Sequence, residues 1–130
     1  MAFKGKKIGF LGLSFKGGTD DLRESPIVEV IEAMLGKGFS LRIYDRHVSL
    51  ARLMGANKDY IEKEIPHISS LLVPDLPAAL AHGEVLVVGN AAPEFSNLPT
   101  LCRSGHVVID LVRVKGLATT PGIDYRGLLW

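Results

Sequence analysis

Short apolar runs alternate with amphipathic stretches along most of this 130-residue chain. The strongest runs predict buried strands because they are almost continuously apolar and too short for helices. These runs are Lys7–Leu13, Leu41–Tyr44, Glu84–Val88 and His106–Leu111. Helical patterns lie between them, and such alternation is typical of a parallel sheet with helices on both faces. We therefore predict a single α/β domain built on a doubly wound parallel sheet.

The first predicted helix follows the first strand. Ser25 is a favourable N-cap, and Pro26 suits the first helical position, where its missing N–H has no intrahelical partner. Apolar residues then recur at helical spacing, at Ile27, Val30, Ile31, Met34 and Leu35. Gly36 and Gly38 end this helix before the second strand. The order strand, helix, strand predicts a βαβ unit with a right-handed crossover.

Weaker patterns predict the remaining elements. They are short helices at 48–54 and 58–64, an ambiguous segment at Ser69–Val73 that fits a short strand, a helix capped by Asp75 that runs through Ala81, a loop or short helix at Pro93–Leu101, and an edge strand at Ile123–Arg126. No internal repeat or linker divides the chain, which agrees with one domain.

A charged segment follows the first strand, where ligands bind in sheets of this type. Its sequence, LGLSFKGGTDDLRESP, fits neither the dinucleotide fingerprint nor the P-loop, since its glycine spacing differs and Gly18 replaces the P-loop lysine. The cations Lys16 and Arg23 suit a diphosphate or a carboxylate. The alternative is a solvated turn in which Asp20 and Asp21 pair with these cations. Asp45, after the second strand, either meets a ribose or caps the following turn.

The same segment resembles a known family. Gly12–Pro26, GLSFKGGTDDLRESP, is similar to the start of the C-terminal domain of the UDP-glucose/GDP-mannose dehydrogenase family, and the similarity extends through KGFSLRIYDRHV, ARLMGANKDYIEKEIPHISSLLV and VLVVGN. The longer stretches are most similar to members that oxidise GDP-mannose in alginate synthesis; members that act on UDP-glucose or UDP-N-acetylmannosamine are the alternative. The resemblance implies that residues 1–130 form a Rossmann-like, nucleotide-sugar-binding C-terminal domain, without the NAD-binding N-terminal domain and the central helical region.

The resemblance also implies roles for single residues. Phe15 and Lys16 match a pair that contacts the nucleotide sugar, and Arg23 matches an arginine that reaches NAD. Arg113 is a further substrate contact, although it lies one position later than in the Asp-x-Arg pattern of many members. The family oxidises the sugar C6 alcohol to a carboxylate in two hydride transfers through a thiol-linked intermediate.

The thiol in this mechanism belongs to the central region, so we expect no catalytic residue in this chain and no turnover by the chain alone. The implied partners are a nucleotide sugar, the rest of the enzyme and a second subunit. A non-catalytic nucleotide-binding module is the alternative from another class.

Composition narrows the remaining possibilities. The net charge of +1 argues against a surface that coats nucleic acid. Cys102 is the single cysteine, which excludes a disulfide framework, and we interpret it as a free buried thiol in a cytoplasmic protein. The histidines are scattered, so we expect no metal site. No apolar run approaches the roughly 20 residues that cross a bilayer, and we expect no signal peptide and no membrane partner.

Overall fold

The computed structural model describes residues 7–13, 26–46 and 70–127. The helices predicted at 48–54 and 58–64 lie outside these ranges, as do His47, His67 and Trp130. We number the described elements in chain order. They are β1 Lys7–Leu11, α1 Pro26–Gly36, β2 Ser40–Tyr44, α2 Leu76–His82, β3 Val85–Val88, a 3₁₀ helix Pro93–Asn97, α3 Leu98–Leu101, β4 Val107–Asp110 and β5 Asp124–Gly127.

The strands form one parallel sheet in the order β2-β1-β3-β4-β5. Phe10 of β1 lies in register between Ile43 of β2 and Val87 of β3. The chain moves outward from β1 to β2, returns past β1 to β3, and then continues outward on the other side. This reversal places the switch point of the sheet between β1 and β3. The predicted Rossmann-like, doubly wound α/β class is confirmed.

Side chains along the strands alternate between two apolar cores, one on each face of the sheet. The core under α1 contains Ile8, Phe10, Ile31, Leu41, Ile43, Val85 and Val87. The opposite core contains Leu11, Leu76, Ala79, Leu80, Leu86, Val88, Phe95, Leu98 and Val108. Because the central strands are buried on both faces, their sequences are almost continuously apolar. Each large side chain fully buried in this way contributes about 1.5–3 kcal/mol of transfer free energy.

Helix α1 begins at Pro26, as predicted, and packs Ile31 fully into the first core. Val30 is 46% exposed, so its predicted place in the buried stripe was wrong. It lies at the margin of the stripe, and Val28 on the other margin packs against the core instead. The helix ends at the predicted glycines: Gly38, with φ of +87°, donates its N–H to Leu35, and Phe39 donates to Met34.

Helix α2 lies on the other face of the sheet. The Asp75 side chain accepts the N–H of Ala78 at 2.9 Å and caps the helix as predicted. Pro77 fits in the first turn because N–H groups there have no intrahelical acceptor. The helix backbone approaches β1 so closely that a Cβ on Gly9 would lie 3.0 Å from the carbonyl oxygen of Ala79.

The outer parts of the sheet differ slightly from the sequence prediction. Of the segment Ser69–Val73, the described residues 70–73 form an isolated bridge between Leu72 and Ile43, beside β2. The edge strand is present as β5, one residue later than predicted, and Pro93–Leu101 forms two short helices. Strand β1 ends at Leu11, before Leu13, because Gly12 turns the chain with φ of +95°. Within the described ranges, no helix is both long and apolar enough to cross a membrane.

Candidate functional site

The candidate site lies at the carboxyl edge of the sheet. Three of the predicted ligand contacts, Phe15, Lys16 and Arg23, fall outside the described residues, and so do Asp20 and Asp21. The described residues that precede and follow them are Leu13, beyond the end of β1, and Pro26, at the start of α1. Leu13 and Pro26 therefore lie beside the switch point of the sheet, the part of such folds where ligands bind.

Two glycines allow the backbones of β1 and β3 to meet at this switch point. The N–H of Gly89 donates to the carbonyl of Leu11, and the N–H of Gly12 donates to that of Tyr44, both at 2.8 Å. A Cβ on Gly89 would lie 2.8 Å from the carbonyl oxygen of Gly12 and 3.3 Å from the Ile27 side chain of α1. The first turn of α1 thus packs directly on the end of β3, beside the point where segment 14–25 begins.

A buried polar cluster lies over Gly12. Asp45, which follows β2, accepts the N–H of Leu13 at 2.8 Å and the side-chain N–H of Asn90 at 3.3 Å. The amide oxygen of Asn90 in turn accepts the N–H of Ala92 at 3.2 Å. Asp45 is 4% exposed and Asn90 is 3% exposed. The cluster therefore ties the ends of β1, β2 and β3 together beneath the surface of the edge.

This cluster argues against the interpretation of Asp45 as a ribose-binding residue. In dinucleotide-binding folds, the corresponding acidic residue binds a ribose and the glycine turn approaches the pyrophosphate. Here Asp45 is occupied by internal donors, and a Cβ on Gly12 would lie only 2.5 Å from the Asn90 side chain. The described residues at the end of β1 and β2 therefore do not fit a dinucleotide such as NAD. Asp45 binds the N–H of Leu13, 32 residues earlier in the chain.

Tyr44 links the end of β2 to the helix after β3. Its hydroxyl donates to Glu94 at 2.9 Å, and its ring meets Phe95 edge to face with centroids 6.2 Å apart. Burial, together with the hydrogen bond to Glu94, raises the pKa of Tyr44 to about 12. The phenol therefore stays protonated at neutral pH and acts here as a hydrogen-bond donor.

The loop after β4 carries the predicted contact Arg113. Asp110 is fully excluded from solvent and accepts the N–H groups of Val112, Arg113 and Val114 at 3.0, 2.8 and 2.7 Å. The hydroxyl of Tyr125 on β5 also donates to Asp110, at 2.9 Å. Arg113 is exposed and has a φ of +62°, the left-handed region that non-glycine residues rarely adopt. The structure therefore places an exposed cation at the carboxyl edge of β4.

Sequence reasoning missed Asn90 and gave Asp110 no role of its own. Asn90 comes two residues after β3 and Asp110 ends β4, so a polar residue at or just after the end of an apolar run was the available signal. The two roles predicted for Asp45, ribose binding and capping, also rested on its position after an apolar run. Such a position marks the edge of the sheet but does not say which donors each side chain finds there.

Two further described residues, Cys102 and His106, have shifted pKa values. Cys102 is a free thiol, half-buried beside the second core, and burial raises its pKa to about 11, so it is protonated at neutral pH. His106 stands at the entry to β4, as predicted, and burial lowers its pKa. In the described part of the chain, no three His, Cys, Asp or Glu residues come together in a way that could hold a metal ion.

Comparison with known proteins gives a consistent picture. The profile described as "UDP-glucose/GDP-mannose dehydrogenase family, UDP binding domain" matches residues 9–116. GDP-mannose 6-dehydrogenase of Azotobacter vinelandii is 53% identical over 125 residues, 96% of this chain and 28% of the relative. A crystal structure of a ternary complex of GDP-mannose dehydrogenase from Pseudomonas aeruginosa matches with a TM-score of 0.87 and 52% identity, over 96% of this chain and 28% of that one.

A solved UDP-glucose dehydrogenase is more distant. The enzyme from Pyrobaculum islandicum is 27% identical with a TM-score of 0.71, over 98% of this chain and 26% of that one. In each of these comparisons the chain spans less than a third of the length of its relative.

Proposed function

Because the chain belongs to the UDP-glucose/GDP-mannose dehydrogenase family, we propose that residues 1–130 form the nucleotide-sugar-binding domain of an NAD-dependent 6-dehydrogenase that acts on GDP-mannose. The observation that carries the choice of substrate is the difference in identity, 53% to a GDP-mannose enzyme against 27% to a UDP-glucose enzyme. A dehydrogenase of UDP-glucose or UDP-N-acetylmannosamine is the alternative within the family.

The proposed contacts are cations and one aromatic residue around segment 14–25. Phe15, Lys16 and Arg113 contact the nucleotide sugar, and Arg23 contacts NAD. Positive side chains suit these places because the diphosphate is an anion and the product gains a carboxylate. The end of β1, which precedes segment 14–25 in the chain, lies at the switch point of the sheet, and this supports the assignment.

The reaction of the whole enzyme is the oxidation of the sugar C6 alcohol to a carboxylate, giving GDP-mannuronate in two hydride transfers to NAD. NAD is bound mainly by another domain, which agrees with the poor fit of a dinucleotide around Asp45 and Asn90. The thiol that carries the intermediate also comes from outside this chain, since Cys102 is protonated and far from the activated state that such a nucleophile needs. A second subunit completes the proposed assembly.

Lys16→Ala in the full-length enzyme tests the central contact. We expect kcat/KM for GDP-mannose to fall about 100-fold, because a preorganised cation beside the reacting sugar is lost. Lys37→Ala is the matched control: Lys37 is an exposed lysine just after α1, at the opposite end of that helix from segment 14–25. Circular dichroism of both variants checks that the fold is intact. Unchanged kinetics in Lys16→Ala would remove this lysine from the site.

Two further measurements test which nucleotide sugar is the substrate and whether the 130-residue chain is active without the rest of the enzyme. The ratio of kcat/KM for GDP-mannose to that for UDP-glucose should exceed one by a large factor in the full-length enzyme. The 130-residue chain alone, given GDP-mannose and NAD, should produce no NADH. NADH formation by the chain alone would refute the assignment of the thiol and the NAD site to other parts of the enzyme.

A further inference from the structure

Arg113 keeps its unusual backbone conformation because its neighbours hold it there. A left-handed φ in a non-glycine residue is unfavourable and persists only where surrounding contacts determine it. Here one side chain binds three N–H groups of the loop: Oδ1 of Asp110 accepts the N–H groups of Val112 and Arg113, and Oδ2 accepts that of Val114. Successive N–H groups converge in this way on a single acceptor only in particular local conformations.

The conformation of Arg113 and the acceptor are therefore coupled. Its φ and ψ angles set the direction of the Val114 N–H relative to its own N–H, and both must point at the Asp110 carboxyl group. If φ of Arg113 relaxed to a negative value, at least one of these bonds would break. Because Asp110 is completely buried, water does not reach it to replace a lost donor.

Tyr125 fixes the orientation of the acceptor itself. It lies on β5 opposite Val108 in the parallel register, and its hydroxyl donates to Oδ2 of Asp110 at 2.9 Å. With Val114 and Tyr125 on one oxygen and Val112 and Arg113 on the other, the carboxyl group has donors on both sides. Rotation of the group would weaken all four bonds, so β5 helps to set the shape of the loop after β4.

We propose that Asp110 and Tyr125 are positioning residues, which hold Arg113 in its left-handed conformation and thereby orient its guanidinium group for the nucleotide sugar. This inference rests on the proposed function, because it takes Arg113 to be a substrate contact. Neither Asp110 nor Tyr125 touches the ligand in this account. Each acts through the backbone of the loop.

A double-mutant cycle on GDP-mannose affinity tests the proposal in the full-length enzyme. Arg113→Ala should raise Kd about tenfold or more, since a hydrogen bond to a charged group is lost. Tyr125→Phe, which removes only the hydroxyl, should raise Kd about threefold. In the Arg113→Ala background, Tyr125→Phe should cause no further change, because the residue that it positions is gone. Asp110→Asn should behave as Tyr125→Phe does, with a larger effect.

Thr100→Val is the matched control for loss of a hydroxyl group. The Thr100 hydroxyl donates to the carbonyl of Asn97 at 2.8 Å, on α3, and not to the Asp110 carboxyl group. This variant should leave Kd unchanged. The cycle depends mainly on Tyr125→Phe, which retains the three N–H bonds to Asp110, so it does not rely on Asp110→Asn folding.

The possible results separate the inference from the function on which it rests. If Arg113→Ala weakens binding and Tyr125→Phe has the same effect in both backgrounds, the positioning role is overturned while Arg113 remains a substrate contact. If Arg113→Ala leaves Kd unchanged while the unmodified enzyme binds GDP-mannose, Arg113 is not a contact and the inference is wrong. If the unmodified enzyme does not bind GDP-mannose, the proposed function itself fails.

Discussion

Asp45 and Asp110 lie at the same edge of the sheet and are both buried, yet they bind different kinds of donor. Asp45, after β2, accepts the N–H of Leu13 and the side chain of Asn90, which are 32 and 45 positions away in the chain. Asp110, at the end of β4, accepts three N–H groups from the four residues that follow it, and one hydroxyl from β5. The first aspartate joins separate strands, whereas the second shapes its own loop.

The difference shows what a buried acidic residue does at the end of a parallel strand. Near the switch point, several strand ends lie side by side, so the Asp45 carboxyl group meets donors from neighbouring strands and closes the edge. Asp110 ends β4, between β3 and β5, and binds the backbone of its own loop together with the Tyr125 hydroxyl of β5. That arrangement keeps Arg113 exposed at the edge with an unusual backbone conformation. In the second arrangement the exposed cation is Arg113, which we propose as a contact of the nucleotide sugar.

Gly12→Ala should have the largest effect on stability, because it disrupts the cluster of Asp45 and Asn90 that joins the strand ends. A Cβ at Gly12 would lie 2.5 Å from the Asn90 side chain, which the cluster holds in place, and φ of +95° adds backbone strain. We expect a loss of about 3 kcal/mol in the free energy of unfolding, measured by urea titration.

Gly38→Ala separates the two causes of this loss. Gly38 has a similar φ of +87°, but a Cβ there would meet nothing within 4 Å. The Gly38→Ala variant should lose only about 1 kcal/mol in the free energy of unfolding, which is the cost of the left-handed backbone conformation alone. If both variants lost the same amount, the packing of Asn90 over Gly12 would contribute nothing, and the edge would not be as closed as the geometry indicates.

Asp45→Ala should have the next largest effect. It leaves the N–H of Leu13 and the amide of Asn90 buried without this acceptor, and we expect a loss of about 2–3 kcal/mol. Asp75→Ala is the control, because Asp75 also accepts one backbone N–H, at 2.9 Å, but in an exposed N-cap where water replaces it. That variant should lose about 1 kcal/mol. A loss at Asp45 no larger than at Asp75 would show that the Asp45 cluster does not hold the strand ends together.

The sheet could be predicted from the sequence because burial on both faces leaves a strong pattern. The runs that contain Phe10, Val87 and Val108 are apolar at nearly every position, and each forms a strand. Errors occurred where the pattern was weak or local geometry intervened. Val30 belongs to the margin of a helical stripe and is exposed, and Gly12 ends β1 earlier than the apolar run does.

The candidate site could be predicted only in part. The charged segment follows the first strand in the sequence, and this predicted a ligand site at the carboxyl edge of the sheet. The family resemblance supplied the roles of Lys16 and Arg113, which stay predictions. The contacts of Asp45 could not be predicted, because the sequence does not show that residues 32 and 45 positions away meet it. The bond from Tyr125 to Asp110 depends on the register of β4 and β5, which no local pattern specifies.

The smallest predicted effect concerns His106, a buried and neutral side chain at the start of β4. His106 is 4% exposed; its Nδ1 accepts the N–H of Arg103 at 2.9 Å, and its Nε2 donates to the carbonyl of Leu80 at 3.3 Å. A proton added to Nδ1 would face the N–H of Arg103 and break that bond. Burial, followed by the nearby charge of Arg103, accordingly lowers the pKa of His106 below its ordinary value of about 6.5.

This pKa shift sets the direction of the pH dependence. As the pH falls below about 6.5, the unfolded chain takes up a proton at His106 before the folded protein does, so protonation favours unfolding. The contribution is fully present above pH 6.5 and is lost as the pH decreases toward the lowered pKa of the folded state. Its slope cannot exceed about 1.4 kcal/mol per pH unit, because one proton is involved.

Urea titrations at pH 7.5, 6.5 and 5.5 measure this slope, with His106→Asn as the comparison. The Oδ1 of asparagine can accept the Arg103 N–H as Nδ1 does, but the amide does not titrate. The variant should therefore lose less stability than the unmodified chain between pH 6.5 and 5.5. Identical slopes would mean that His106 is not held neutral.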